Sequence, residues 1–380
     1  MATKTLYIDN NASTPVDPKV REVLINAFTE LYGNPSNNHH RFGKLAYEAL
    51  QDSREIVRRL LHADGFQVIF TASATEALNL AVIGLRPSRI VVGSTEHSAV
   101  LETCRWLEHY NRTKILPFAV DRQGTAVISD IKEKLDTESS LLIAMLANNE
   151  TGVIHPLEDI TQLSAEYSIP ILCDVTQAIG KIEVRLDEMN VDMIALSGHK
   201  MYGPRGVGAL LYREETLSGR LQPMIHGGGQ EYGLRSGTEN VPAIMAFAKA
   251  LEICVAQQKS DEKHMEIMRD QFESKLCENT RGIIINGSKT TRLPNTSNIS
   301  IADADIDVVL ESLENVAVST TSACSSQKKA GSHVLRAMAI PDILNYNSLR
   351  ISFGRFNTLE QADYAADVIS GAIERARSFR

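Results

Sequence analysis

No segment of this 380-residue chain is apolar over the length of a membrane span, and the stretch from Met1 to Asp9 has no apolar signal core. Neither membrane attachment nor export is expected, and the expected location is the cytoplasm. Cysteine is scarce. The five present (Cys104, Cys173, Cys254, Cys277 and Cys324) are scattered, odd in number and without metal-ligand spacing. Free thiols in a reducing compartment are therefore expected, and no metal site. Positive charge is in deficit: 39 Lys and Arg against 47 Asp and Glu leave a net charge of −8. That balance argues against direct nucleic-acid binding through a basic face, but not against a protein partner that handles nucleic acid. Internal repeats and low-complexity blocks are missing. So are the Gly-x-x-x-x-Gly-Lys-Ser/Thr loop and a Gly-x-Gly-x-x-Gly after a strand, which removes support for P-loop and dinucleotide readings.

What is present is ordinary soluble composition, 43% hydrophobic and 23% charged, in a chain too long for one ordinary core. One large domain plus a smaller one is expected. From about residue 50 to 215 helical and strand patterns alternate, which predicts an α/β fold with a mostly parallel central sheet flanked by helices. The candidate strands are Val68-Ile69-Phe70, Ile90-Val91-Val92, Leu141-Leu142-Ile143-Ala144-Met145, Ile171-Leu172-Cys173 and Met193-Ile194-Ala195-Leu196. Val207 to Tyr212 follows Lys200 too closely for a crossover helix and is expected to return antiparallel. A helical pattern over 242–277, broken near Ser260, leads through polar residues 257–263 to a smaller α+β domain. Strands are expected there at Ile283-Ile284-Ile285, at Thr296 to Ile301 and at Leu349 to Phe353, with helices over 306–313 and 359–375.

The chemistry is concentrated at Asp174-Val175-Thr176-Gln177 and Ser197-Gly198-His199-Lys200, each closing an apolar run. Ligands of open α/β sheets sit beyond the carboxyl ends of such strands. An acid, an amide, a hydroxyl, an imidazole and an amine converging there suit pyridoxal phosphate: a lysine for the Schiff base, a carboxylate for the pyridinium, and donors for phosphate and ring oxygen. The hydroxyl-rich Thr71-Ala72-Ser73-Ala74-Thr75-Glu76 opens a helix, and is open between a plain N-cap and a phosphate site. His97 is open between a structural imidazole and one stacked on a cofactor ring; Asn148-Asn149 between a turn and a donor pair. Arg350, in a strand-like context, is open between a substrate carboxylate and an ordinary salt bridge. Cys324, among small polar residues with Lys328 and Lys329 behind it, is the one cysteine whose surroundings favour a thiolate nucleophile.

Taken together, nearly end to end, these motifs resemble the pyridoxal-phosphate-dependent cysteine desulfurases, the NifS/IscS-like members of the class V aminotransferase-like group. The match also takes in Tyr7 to Pro15, Gly33-Asn34-Pro35-Ser36, His226 to Glu231, Arg235-Ser236-Gly237-Thr238 and Ser322-Ala323-Cys324. The resemblance implies a fold-type I homodimer, with a large cofactor-binding domain over 15–258 and a small α+β domain over 1–14 and 259–380. It implies that Lys200 carries the cofactor and moves the Cα proton, that Asp174 holds the pyridinium proton, and that Gln177 contacts the ring hydroxyl. His97 would stack on the ring and shuttle protons. Thr75, Ser197 and His199 would bind phosphate, with Thr238 reaching it across the dimer interface, and Ala74 would also belong to the cofactor site. Asn34, Asn149 and Arg350 would hold the carboxylate of L-cysteine, and Cys324 would take the sulfur as a persulfide for an acceptor protein.

Ser73 stands where many relatives have glycine, Lys328 to Ser332 departs from the usual acidic-Pro-Ser pattern, and housekeeping members extend further beyond Gly354. These departures imply a specialised donor, serving a dedicated iron–sulfur assembly system or nucleic-acid sulfur modification through a partner enzyme. Selenocysteine lyase or transaminase activity on the same scaffold, and a non-catalytic sulfur-relay subunit, are the competing readings.

Overall fold

The structure, a computed structural model, describes residues 5–313, 315–320 and 331–378. Its centre is a seven-stranded sheet in the spatial order Phe66–Thr71, Gly208–Arg213, Met193–Ser197, Ile171–Asp174, Leu141–Met145, Arg89–Gly93, Lys114–Phe118. Gly208–Arg213 runs antiparallel to both neighbours, as its short connection requires, and the remaining pairs are parallel. Residues alternate between two faces. Val91, Ile171 and Ile194 pack into one apolar layer, and Ile90, Leu172 and Met193 into the other. Both faces are covered, so these strands read as unbroken apolar runs. The strand that sequence reading missed, Lys114–Phe118, lies at the edge; its Pro117 and exposed Lys114 belong to an edge position and hide the strand signal.

A second, antiparallel sheet has the order Ser319–Thr320, Ser348–Ser352, Thr296–Ile301, Ile283–Ile285. Ile299, Ile301, Leu349 and Ile351 point into a separate apolar cluster with Phe272 and Ile369, which also takes in Leu6 and Ile8 from the start of the chain. The helix Val241–Asn279 corrects an expectation: it runs through Ser260 without a break. Residues 257–263 contain no glycine or proline, and their Gln, Lys and Glu are good helix formers. Phe247 and Leu251 on this helix belong to the large core, and Met265, Met268 and Phe272 to the small one. The polar band marks the passage of one continuous helix between two cores. No described helix is long and apolar enough to cross a membrane.

Candidate active site

Met145, Asp174 and Ser197 are each the last residue of a parallel strand. All three line one cavity of about 300 Å³. Ala74, Thr75 and His97 reach it from the helix starts, and Gln177, His199 and Lys200 from the turns after Asp174 and Ser197. Asn149 and Arg350 complete the expected set on the side of the small sheet. Asn34 is exposed and does not line the cavity; Thr238, expected to serve the cavity of a second copy, is also exposed. Cys324 lies outside the described residues. A larger cleft of about 830 Å³ includes Ile169, Pro170, Asn190 and Asp192, just before the Asp174 and Ser197 strands begin. It is at the wrong end of the sheet for a ligand of this fold.

At the phosphate end the two readings of Ser73 and its neighbours combine. Ser73 caps the helix Ala74–Gly84, its Oγ accepting the Glu76 N–H at 3.2 Å. The first-turn N–H groups of a helix lack intrahelical partners and favour an anion. Ser197 Oγ is buried and has no partner, so a phosphate oxygen would satisfy it. Burial, with Lys200 and Arg205 nearby, pushes His199 down to about 4, so its ring is neutral at physiological pH. A Cβ on Gly208 would stand 2.6 Å from the Ser73 carbonyl carbon, so only glycine lets the return strand pass so close beneath this turn. Arg235 Nε donates to Glu76 at 2.8 Å, which ties the start of Arg235-Ser236-Gly237-Thr238 to the same helix.

In the middle of the cavity, Asp174 accepts the Thr176 N–H at 2.9 Å. His97 Nδ1 accepts the Ala99 N–H at 3.1 Å, so the proton of the neutral ring sits on Nε2. Burial holds the pKa of His97 below its ordinary value against the opposing pull of Asp174. Lys200 Nζ donates to the Asn11 and Ala12 carbonyls at 2.5 and 2.8 Å. A lysine, a buried carboxylate, an imidazole and a phosphate cradle in one cavity fit pyridoxal phosphate.

At the far end, Arg350 does make an ordinary salt bridge, to Asp9 at 2.7 Å. Its Nη1 donates to the backbone oxygen of Asn149 at 3.2 Å, so the contact is with the carbonyl and not the side-chain amide. Its Nε is buried without a partner, and a bound carboxylate would supply one.

Sequence reading missed three site residues. Asn11 links the small sheet to the turns after the central strands: its side chain donates to Thr296 Oγ1 at 2.9 Å, and its carbonyl receives Lys200 and Gln177. Glu96 is fully buried and accepts the Met145 N–H at 2.7 Å; burial pushes its carboxyl up to about 8, so it is largely protonated at neutral pH. Lys181 lies beneath Gln177. The pairs Glu96-His97 and Gly180-Lys181 were visible in the sequence, but nothing local marked Glu96 or Lys181 as buried.

The Aminotransferase class-V family model matches residues 6–364. A cysteine desulfurase IscS from Rickettsia massiliae is 35% identical over 381 aligned positions, spanning 99% of this chain and 92% of that protein. A solved NifS-like protein superposes with a TM-score of 0.89 at 34% identity, over 98% of this chain and all of its own. The structure of SspA in complex with cysteine gives a TM-score of 0.81 at 31% identity, over 93% of this chain and 100% of that one. The chain belongs to the aminotransferase class-V family and, within it, to the pyridoxal-phosphate-dependent, NifS/IscS-like cysteine desulfurases.

Proposed function

We propose that this protein converts L-cysteine to L-alanine and takes the sulfur on Cys324. The observation that carries this is one cavity with Lys200 and Asp174 at the sheet end and the buried, half-satisfied Arg350 opposite. Pyridoxal phosphate, held by Thr75, Ser197, His199 and Lys200, supplies an electron sink for the substrate's Cα. Arg350 fixes the substrate carboxylate through its unpartnered Nε edge and so points Cα toward Lys200. Lys200 Nζ takes the Cα proton, and Asp174 keeps a proton on the pyridine nitrogen. The Cys324 thiolate attacks the substrate sulfur: an S–S bond forms and the Cβ–S bond breaks with its electron pair left on carbon. A proton then completes the methyl group of alanine. Only a thiolate is nucleophilic enough for that step, and Lys328 and Lys329 close in sequence favour it.

The working unit is a homodimer with domains over 15–258 and over 1–14 plus 259–380, located in the cytoplasm. Ile25 and Phe28 on the helix Pro18–Glu30, Phe42 on the helix Arg41–Leu60 and Tyr32 between the two are exposed, with Tyr32 and Phe42 rings 5.1 Å apart and Asn34 between them in sequence. A second copy would cover this apolar surface and offer its Thr238 to the phosphate. The persulfide goes to an acceptor protein, of iron–sulfur assembly or of nucleic-acid sulfur modification. Labelled sulfur from cysteine, followed after pull-down from the host, identifies it.

Cys324→Ser is expected to keep the visible absorption of the bound cofactor and to bind L-cysteine, yet to release no sulfide with a reductant present. Wild-type sulfide release from that variant would remove the persulfide route and favour a lyase or transaminase.

A further inference from the structure

Lys181 is an expensive residue to keep. It is 4% exposed, and its Nζ meets no carboxylate among the described residues; it donates to the Gln177 backbone oxygen at 2.9 Å and to Gln177 Oε1 at 3.0 Å. Burial, with Lys200 and Arg350 as like charges and Cys254 in partial compensation, pushes it down to about 7. A buried amine so placed costs stability that an apolar residue would not. Gly180, at φ +77°, turns the chain so that Lys181 reaches back under Gln177; a Cβ there would meet Cys254 Sγ at 2.9 Å.

The geometry also settles which way the Gln177 amide faces. A backbone carbonyl only accepts, so the amide atom 3.0 Å from the Asn11 oxygen is the nitrogen. The other amide atom, 3.0 Å from Lys181 Nζ, is then the oxygen, which the amine meets with an N–H. The Asn11 carbonyl also receives Lys200 Nζ at 2.5 Å, so one chain of hydrogen bonds runs from Lys181 through Gln177 and Asn11 to Lys200. The Gln177 NH₂ has a second hydrogen, and Gln177 lines the cofactor cavity. With the amide reversed, a carbonyl oxygen would face an anionic ring oxygen and repel it.

We propose that Lys181 is a positioning residue that locks the Gln177 amide with its donor toward the cofactor's ring oxygen. This rests on the reading of Gln177 as a contact of that oxygen, and the experiment separates the two. A donor stabilises the ring oxygen most when its negative charge is least shared, so its loss raises the midpoint at which the bound cofactor's visible band changes with pH.

In the holoenzyme, Lys181→Met is expected to raise that midpoint by about one unit and the Kd for pyridoxal phosphate about tenfold. Gln177→Ala is expected to do the same, and the double variant no more than Gln177→Ala alone. Lys181→Gln keeps a donor for Gln177 Oε1 and is expected to stay within about twofold of wild type. Thermal unfolding of each apo-protein separates loss of fold from loss of orientation. A shift by Gln177→Ala with none by Lys181→Met overturns the proposal; so does a Lys181→Met shift of equal size in the Gln177→Ala background. No shift from Gln177→Ala overturns the underlying contact first, and the role of Lys181 with it.

Discussion

The two sheets deliver functional groups in different ways. The central sheet is covered on both faces, so a side chain in the middle of a strand can meet only core, and Asp174 and Ser197 reach the cavity because they are the last residues of theirs. The small sheet delivers from the middle of its strands. Leu349 and Ile351 enter the core, while Ser348, Arg350 and Ser352 take the opposite face. Thr296 and Asn298 on the neighbouring strand do the same, receiving Asn11 and donating to the Glu150 carbonyl at 2.9 and 3.2 Å. A sheet with one polar face can be a wall of the site; a sheet with two apolar faces can only present its rim.

Breaking the rim is expected to have the largest effect. Lys200→Ala removes the amine proposed to carry the cofactor and move the proton. Turnover is expected to fall by at least about 10³-fold, with loss of the lysine-bound visible absorption. Wild-type turnover in that variant would end the rim assignment.

A change in the wall comes second. Arg350→Lys keeps the charge but loses the fork that can bind Asp9 and a carboxylate together. The KM for L-cysteine is expected to rise about 10- to 100-fold with a smaller change in kcat. An equal loss in both would mean that Arg350 acts on the transition state and not as a carboxylate clamp.

The same contrast explains what the sequence disclosed. The rim was legible because an unbroken apolar run stops abruptly at Cys173-Asp174 and at Leu196-Ser197, and the residues after the stop are chemical. The wall was legible at Arg350, a guanidinium in a strand-like context, and otherwise only as strands. Thr296-Ser297-Asn298-Ile299-Ser300-Ile301 shows alternation, but its polar members read as solvent-facing when all six residues are buried. Asn11 escaped for a related reason: its function lies in a backbone carbonyl, which no side-chain pattern reports. Lys181 escaped because charged residues are rarely buried, so a lysine after a turn glycine reads as solvent-facing. Asn34 and Thr238 carried motif resemblance alone, with no local physics to place them.

Ser197→Ala tests the rim more finely. Its hydroxyl is buried and unpaired, so its removal is expected to leave apo-protein stability nearly unchanged. Affinity for pyridoxal phosphate, measured by titration, is expected to fall about tenfold. A destabilised apo-protein with unchanged affinity would make Ser197 a structural residue.

The smallest expected effect distinguishes two histidines of equal pKa. His155 and His199 are both pushed down to about 4, each chiefly by burial. His155 is buried, its Nδ1 accepting the Ala126 N–H at 3.2 Å, and it does not line the cofactor cavity. His199 lines the cofactor cavity, where a bound phosphate would draw its pKa upward. For each, the folded pKa lies below the unfolded value near 6.5, so the unfolded chain binds more protons between the two. The stability they contribute is complete above about 6.5 and is lost as pH falls toward 4, with His155 accounting for about 1 kcal/mol by pH ~5.5. Cofactor binding relieves His199 and leaves His155 as it was. Urea unfolding at several pH values is therefore expected to show a shallower acid loss in the holoenzyme than in the apo-protein, the difference approaching one proton. In His199→Asn the two slopes are expected to coincide; a persistent difference would show that the cofactor's phosphate is not next to this ring.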